Sequence, residues 1–181
     1  MHKNSDPNAV SPRQKRYLLW LVGVGLGLVF ATPIILLTFE RRTLGETFPS
    51  QGNRHINLAD AFPSYNSDPP TSGWHVADLV AWGSYDKVIL DQQLVHNLED
   101  GGVILWYAYG TPESNANNIK LLETIAKGYD KVIIAPREVM PTSYALTAWT
   151  RLQRFNSVDH EGMKAFLEAY HGLDHHVAGT S

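Results

Sequence analysis

The sequence predicts an α+β fold, with α/β as the alternative, built as a small sandwich and preceded by one transmembrane helix. Three observations carry this expectation. Residues 17–39 are apolar and free of charge, about 23 residues and enough to cross a hydrocarbon core of roughly 30 Å. Two short apolar runs, residues 103–107 and 131–135, are flanked by glycine or proline and read as buried strands. Between them Ile119, Leu122, Ile125, Ala126 and Tyr129 fall on one helical stripe.

The elements follow in chain order. Residues 1–16 are polar and then basic, at Arg13, Lys15 and Arg16. With Lys3, four basic residues precede the apolar run, while Arg41 and Arg42 follow it beside Glu40 and Glu46. This bias places residues 1–16 in the cytoplasm and the rest of the chain outside it. Tyr17 and Trp20 sit near one end of the run, where amphipathic rings favour the membrane interface. The run exceeds the core of about 7–15 residues of a cleaved signal peptide, and no small-residue cleavage site follows. An uncleaved, single-pass anchor in contact with membrane lipid is therefore expected.

Residues 40–53, with Gly45, Pro49 and Gly52, read as a linker, residues 54–172 as an extracytoplasmic globular domain, and residues 173–181 as a polar tail. Within the domain, residues 54–58 are expected to be a short strand. Residues 62–75 hold Pro63, Pro69, Pro70 and Gly73 and form a long irregular loop. Its aromatics Tyr65 and Trp74 call for an ordered loop packed on the surface. Residues 87–90 read as a strand or extended lead-in, and Asp91 as the N-cap of a helix through Glu99. Ser114 is placed as the cap of a helix running to about Tyr129. Residues 144–149 fit either helix or strand. Met163, Phe166, Leu167 and Tyr170 mark a last amphipathic helix, ended by Gly172. The strands at 103–107 and 131–135, joined by a helix, suggest a βαβ unit.

Composition excludes several classes. The chain has no cysteine, so disulfides, thiolate zinc sites and a cysteine nucleophile are absent. From residue 43 onward nine Lys and Arg face sixteen Asp and Glu, a net charge of −7. That argues against nucleic acid as a partner.

The chemistry concentrates in the stretch His96-Asn97-Leu98-Glu99-Asp100, followed by Gly101 and Gly102. On a helix His96 faces both Glu99 and Asp100. Taken with Pro69-Pro70-Thr71-Ser72-Gly73-Trp74-His75, Trp82-Gly83-Ser84-Tyr85 and Ala145-Leu146-Thr147-Ala148-Trp149, this stretch resembles a bacterial family. It is the domain-of-unknown-function family three-one-zero-five, and the resemblance spans about residues 52–172. It implies an extracytoplasmic domain anchored by one N-terminal helix and assigns no activity. The family pattern reads His-Asn-Leu-Glu-His-Gly. This chain has Asp100 in place of the second histidine, which weakens any carried-over site by one ligand.

Three functions are compatible with these residues. His75, His96 and His55 lie in or beside the motifs, and Met140 sits in a proline-flanked loop. Imidazole with thioether suits copper where thiolate is missing, and Asp100 or Glu99 would complete the site or orient a histidine. The expected metal set is therefore His75, His96, His55, Met140 and Asp100. The second reading is a non-catalytic accessory or structural subunit of a membrane protein complex. The third is a hydrolase with Ser72 as nucleophile and His96 as base, although Ser72 lacks a strand–elbow–helix context. His171, His175 and His176 read as a solvated, mobile end, and Tyr65, Tyr85, Tyr107 and Tyr109 as packing residues.

The metal reading carries a topological difficulty. Met140 follows the second strand and His96 precedes the first. If the strands are parallel, these residues lie at opposite edges of the sheet. Only long loops or an antiparallel pairing would bring the groups together.

Overall fold

The computed structural model describes Arg13 and residues 44–176. The expected anchor at residues 17–39 and residues 177–181 lie outside the described residues. Among those described, no helix is long and apolar enough to cross a membrane.

The domain is a mixed α+β fold built on one six-stranded sheet with helices on both faces. Its strands are β1 (Glu46–Thr47), β2 (Gly83–Ser84), β3 (Val103–Ala108), β4 (Val132–Arg137), β5 (Tyr144–Ala148) and β6 (Arg151–Phe155), and its helices are α1 (Asp91–Glu99), α2 (Pro112–Ala126) and α3 (His160–Tyr170). The strand order is β1-β6-β5-β3-β4-β2. β3 and β4 are parallel, joined through α2, and β2 adds parallel to β4. β5 runs antiparallel to β3, and β6 and β1 continue antiparallel beyond it.

Strand alternation explains the two layers. Val103, Leu105, Tyr107, Val132, Ile134, Leu146 and Ala148 share one apolar cluster with Leu122 and Ile125 of α2 and Met163, Phe166 and Leu167 of α3. Their neighbours Ile104, Trp106, Ile133, Ala135 and Ala145 belong to a second cluster with Leu94, Val95 and Leu98 of α1. Period-two side chains thus feed both faces. Burying each large apolar side chain stabilises the fold by roughly 1.5–3 kcal/mol. Trp106, 1 % exposed, satisfies its indole by donating to Thr147 Oγ1 at 2.8 Å across the β3–β5 pair.

Several boundaries differ from the sequence reading. Residues 54–58 make a single parallel bridge, His55 to His75, instead of a strand. The edge strand before α1 is β2, while residues 87–90 are irregular. Leu90 is the N-cap of α1, and Asp91 opens the helix and pairs with Arg137. Thr111 caps α2, accepting from Ser114 N–H at 3.2 Å, so the helix begins at Pro112, the favoured first position for proline. The expected linker is structured from residue 44 onward. β1 pairs with β6 there, and Phe48 packs on the second cluster. Both β1 residues are exposed and polar, so hydrophobic patterning gave no sign of them.

Candidate metal centre

The last turn of α1 assigns each motif residue a separate task. Leu98 is fully buried in the core. Asn97 clamps the chain opposite, its Oδ1 accepting from Val80 N–H at 3.1 Å and its Nδ2 donating to Val80 O at 2.8 Å. His96 and Glu99 turn toward the loop that ends in His75. The helix closes with Gly102 N–H donating to Asn97 O at 2.8 Å and Gly101 N–H to Leu98 O at 3.2 Å. That is a Schellman ending, and Gly101 supplies the left-handed residue at φ 81°.

The loop carrying His75 is held as firmly as a strand. Gly73 N–H donates to Gly52 O at 3.1 Å, His75 N–H to Arg54 O at 3.1 Å, and Ile56 N–H to His75 O at 2.8 Å. Tyr65 packs on Gly73 and donates its hydroxyl to Trp74 O at 2.7 Å. Gly73 has φ 125°, and a Cβ there would lie 2.9 Å from the Tyr65 ring. The Arg54 guanidinium lies 4.3 Å from the Trp74 ring centroid. Residues 69–73 and His75 are buried and Trp74 is half-buried. Val76 N–H donates to Gln92 O at 2.9 Å, tying the end of the loop to α1.

His55, His75, His96 and Glu99 meet at this junction, with one ligand atom from each lying within 4.8 Å of all the others. The rings of His75 and His96 are 5.0 Å apart between centroids, and those of His55 and His96 stack at 5.1 Å. His75 and Glu99 are fully buried or nearly so, and His55 is exposed on the solvent side. His75 Nδ1 is 2.7 Å from Gly73 O, so Nδ1 carries a proton, and in the neutral imidazole Nε2 carries the lone pair. Burial is the largest influence on His75 and pushes its imidazole below the usual pKa, although the Gly73 carbonyl and the Glu99 carboxylate act the other way. Nε2 stands 3.1 Å from Glu99 Oε2. The distance suits an ion pair, but the two atoms are not aligned for a hydrogen bond, and neither has a hydrogen-bond partner among the described residues. His96 Nδ1 is likewise buried without a partner. Glu99 Oε1, in contrast, accepts from Asn53 Nδ2 at 2.6 Å.

Buried polar atoms are rarely left unpaired. Three of them here are potential ligand atoms at one spot. Donors about 2.0–2.1 Å from a tetrahedral zinc ion sit about 3–4 Å apart. The His75–Glu99 pair already has that spacing, and the rest of the set needs a modest contraction.

The expected residues divide. The structure brings His55, His75 and His96 together. Asp100 lies on the other side of His96, its Oδ1 3.7 Å from His96 Nε2. Met140 is not part of the group. It follows β4, which is parallel to β3, and so emerges at the edge opposite the end of α1, where it packs on the second apolar cluster. Ser72 is fully buried and its Oγ accepts from Gln51 N–H at 3.1 Å, an arrangement that suits a structural hydroxyl better than a nucleophile.

Sequence reasoning named Glu99 as an alternative to Asp100 but left it out of the expected ligand set, and it did not link Trp149 or the tail to the site. Trp149 begins the turn after β5, and because β5 is antiparallel to β3 it arrives at the edge where α1 ends. Its ring meets His75 edge-on at 6.5 Å and stacks on His175 at 6.1 Å. The described part of the tail is docked, with His175 N–H donating to Glu99 O at 2.9 Å. For Trp149 the available signal was its place in the final motif. For the tail there was none, because its contacts are long-range.

A family model described as "Protein of unknown function (DUF3105)" matches residues 58–179. No curated protein and no solved structure matches the chain.

Proposed function

The chain belongs to this family of unknown function, and from the chemistry of the site we propose that its domain binds a divalent transition-metal ion, copper(II) in preference to zinc, through His55, His75, His96 and Glu99. The observation that carries this reading is the His75 Nε2–Glu99 Oε2 contact. Two buried polar atoms face each other at 3.1 Å with no hydrogen bond between them, and a cation beside the neutral imidazole would be coordinated by both. Gly73 behind His75 and Asn53 behind Glu99 fix the ligands from the rear, as is usual at metal sites. Three imidazoles and a carboxylate form a borderline donor set, for which copper(II) stands above zinc in the affinity order. Without Met140 no thioether favours copper(I).

Four protein ligands leave no open position of the kind a catalytic zinc site keeps. The proposal is therefore a binding module, not an enzyme. The apolar run at residues 17–39 and the basic residues before it support a membrane-anchored, extracytoplasmic setting. A second reading is a non-catalytic accessory subunit of a membrane protein complex, in which the same contacts only lock the loop to α1. The Asn97 clamp on Val80 favours it, because that clamp serves rigidity alone.

Calorimetric titration of Cu²⁺ into the full chain, purified without a polyhistidine tag, tests the proposal. One tight site is expected in the wild type, with its affinity clearly lowered in Glu99→Gln. No binding heat in the wild type would leave the accessory-subunit reading in place.

A further inference from the structure

His96 also belongs to a second group of donors. One ligand atom from each of His96, Asp100 and His176 lies within 4.8 Å of the others. Asp100 Oδ1 is 3.7 Å from His96 Nε2 and 3.4 Å from His176 Nε2. The far side of His176 is already fixed. Its Nδ1 is 2.7 Å from Asp174 Oδ1, and its backbone N–H donates to the same oxygen at 2.9 Å. A carboxylate on Nδ1 leaves Nε2 as the ligand atom, the arrangement commonly found behind metal-bound histidines.

The segment that delivers His176 has a seat built for it. Gly172 N–H donates to Gly101 O at 2.7 Å, and a Cβ on Gly101 would lie 2.8 Å from the Leu173 backbone. With the His175–Glu99 bond, these contacts strap residues 172–176 across the end of α1. The three side chains form a gradient of exposure, 45 % for His176, 20 % for Asp100 and 10 % for His96.

We propose that His96, Asp100 and His176 form an outer position for the same divalent ion, which the ion occupies on its way to the buried set. This rests on the metal-binding reading. Both positions need a lone pair of His96, and a neutral imidazole has only one, so they are filled one at a time. The outer position has fewer donors and more solvent and holds the ion more weakly. It replaces part of the ion's water shell at the surface, and His96 then contributes to the buried site where dehydration is completed.

The test is a Cu²⁺ titration of the full chain without a polyhistidine tag, paired with rapid-mixing measurement of uptake. The wild type is expected to take up one ion. His75→Ala removes a donor of the inner set alone and should still bind one ion, weaker by at least the roughly 10–100-fold that loss of an outer-shell partner costs. Combining His75→Ala with His176→Ala should abolish binding. His176→Ala by itself should keep the wild-type equilibrium affinity and slow uptake. Glu99→Gln provides the same inner lesion with little change of shape if circular dichroism shows that His75→Ala misfolds. Absence of Cu²⁺ binding in the wild type overturns the metal reading itself. Binding in the wild type with none in either inner variant, equal binding in the single and double variants, or unchanged uptake in His176→Ala overturns the outer position alone.

Discussion

His75 Nε2 and Glu99 Oε2 lie 3.1 Å apart, buried, and without a hydrogen bond to each other or to any other described group. The two residues come from different parts of the chain. One ends a loop laddered to residues 52–56, and the other closes α1. Their separate anchors, Gly73 O on His75 Nδ1 and Asn53 Nδ2 on Glu99 Oε1, aim both free atoms at one point. Several outcomes follow from this convergence.

Asn53→Ala removes the donor to Glu99 Oε1 while leaving every proposed ligand in place. Metal affinity should fall about 10–100-fold, the usual cost of losing a group that orients a ligand. Competition against a chelator of known affinity measures it, and an unchanged constant would mean that Glu99 is not a ligand.

Gly73→Ala forces a side chain into a left-handed position and against the Tyr65 ring. The expected destabilisation is about 1–3 kcal/mol, read from the urea midpoint. Metal binding should weaken with it, because the Gly73 carbonyl fixes the tautomer of His75.

Asn97→Ala leaves the half-buried N–H and C=O of Val80 without their partners. Unsatisfied groups cost about 1–3 kcal/mol when buried, so a loss of roughly that size in total is expected in equilibrium unfolding. A variant as stable as the wild type would show that water replaces the clamp at no cost.

Met140→Leu should leave metal content unchanged and cost less than about 1.5 kcal/mol, as a near-isosteric exchange on the edge of an apolar cluster. Loss of metal in this variant would contradict the placement of Met140 at the far edge of the sheet.

The central strands were legible because residues 103–108 and 132–135 are continuous apolar runs, although β4 continues through Pro136 to Arg137. β1 and β2 were not legible. Each has only two exposed residues and exists through pairing with a partner distant in sequence. Within the site, helical spacing marked both Glu99 and Asp100 as neighbours of His96. The sequence reading preferred Asp100, and the four-residue spacing does bring its Oδ1 to 3.7 Å from His96 Nε2, but in a group with His176 and not with the buried set of His55, His75 and Glu99. His176 lies eighty positions beyond His96, and no local pattern joins them. Met140 was chosen for its chemistry, and the parallel pairing of β3 with β4 places it at the other edge.

The most direct test is elemental analysis of the untagged full chain, wild type against His96→Ala, after loading with Cu²⁺ or Zn²⁺ and removal of loosely held ions. His96 is common to both donor groups, so about one ion per chain is expected in the wild type and none in the variant. Equal metal content in the two proteins, or none in either, would contradict it.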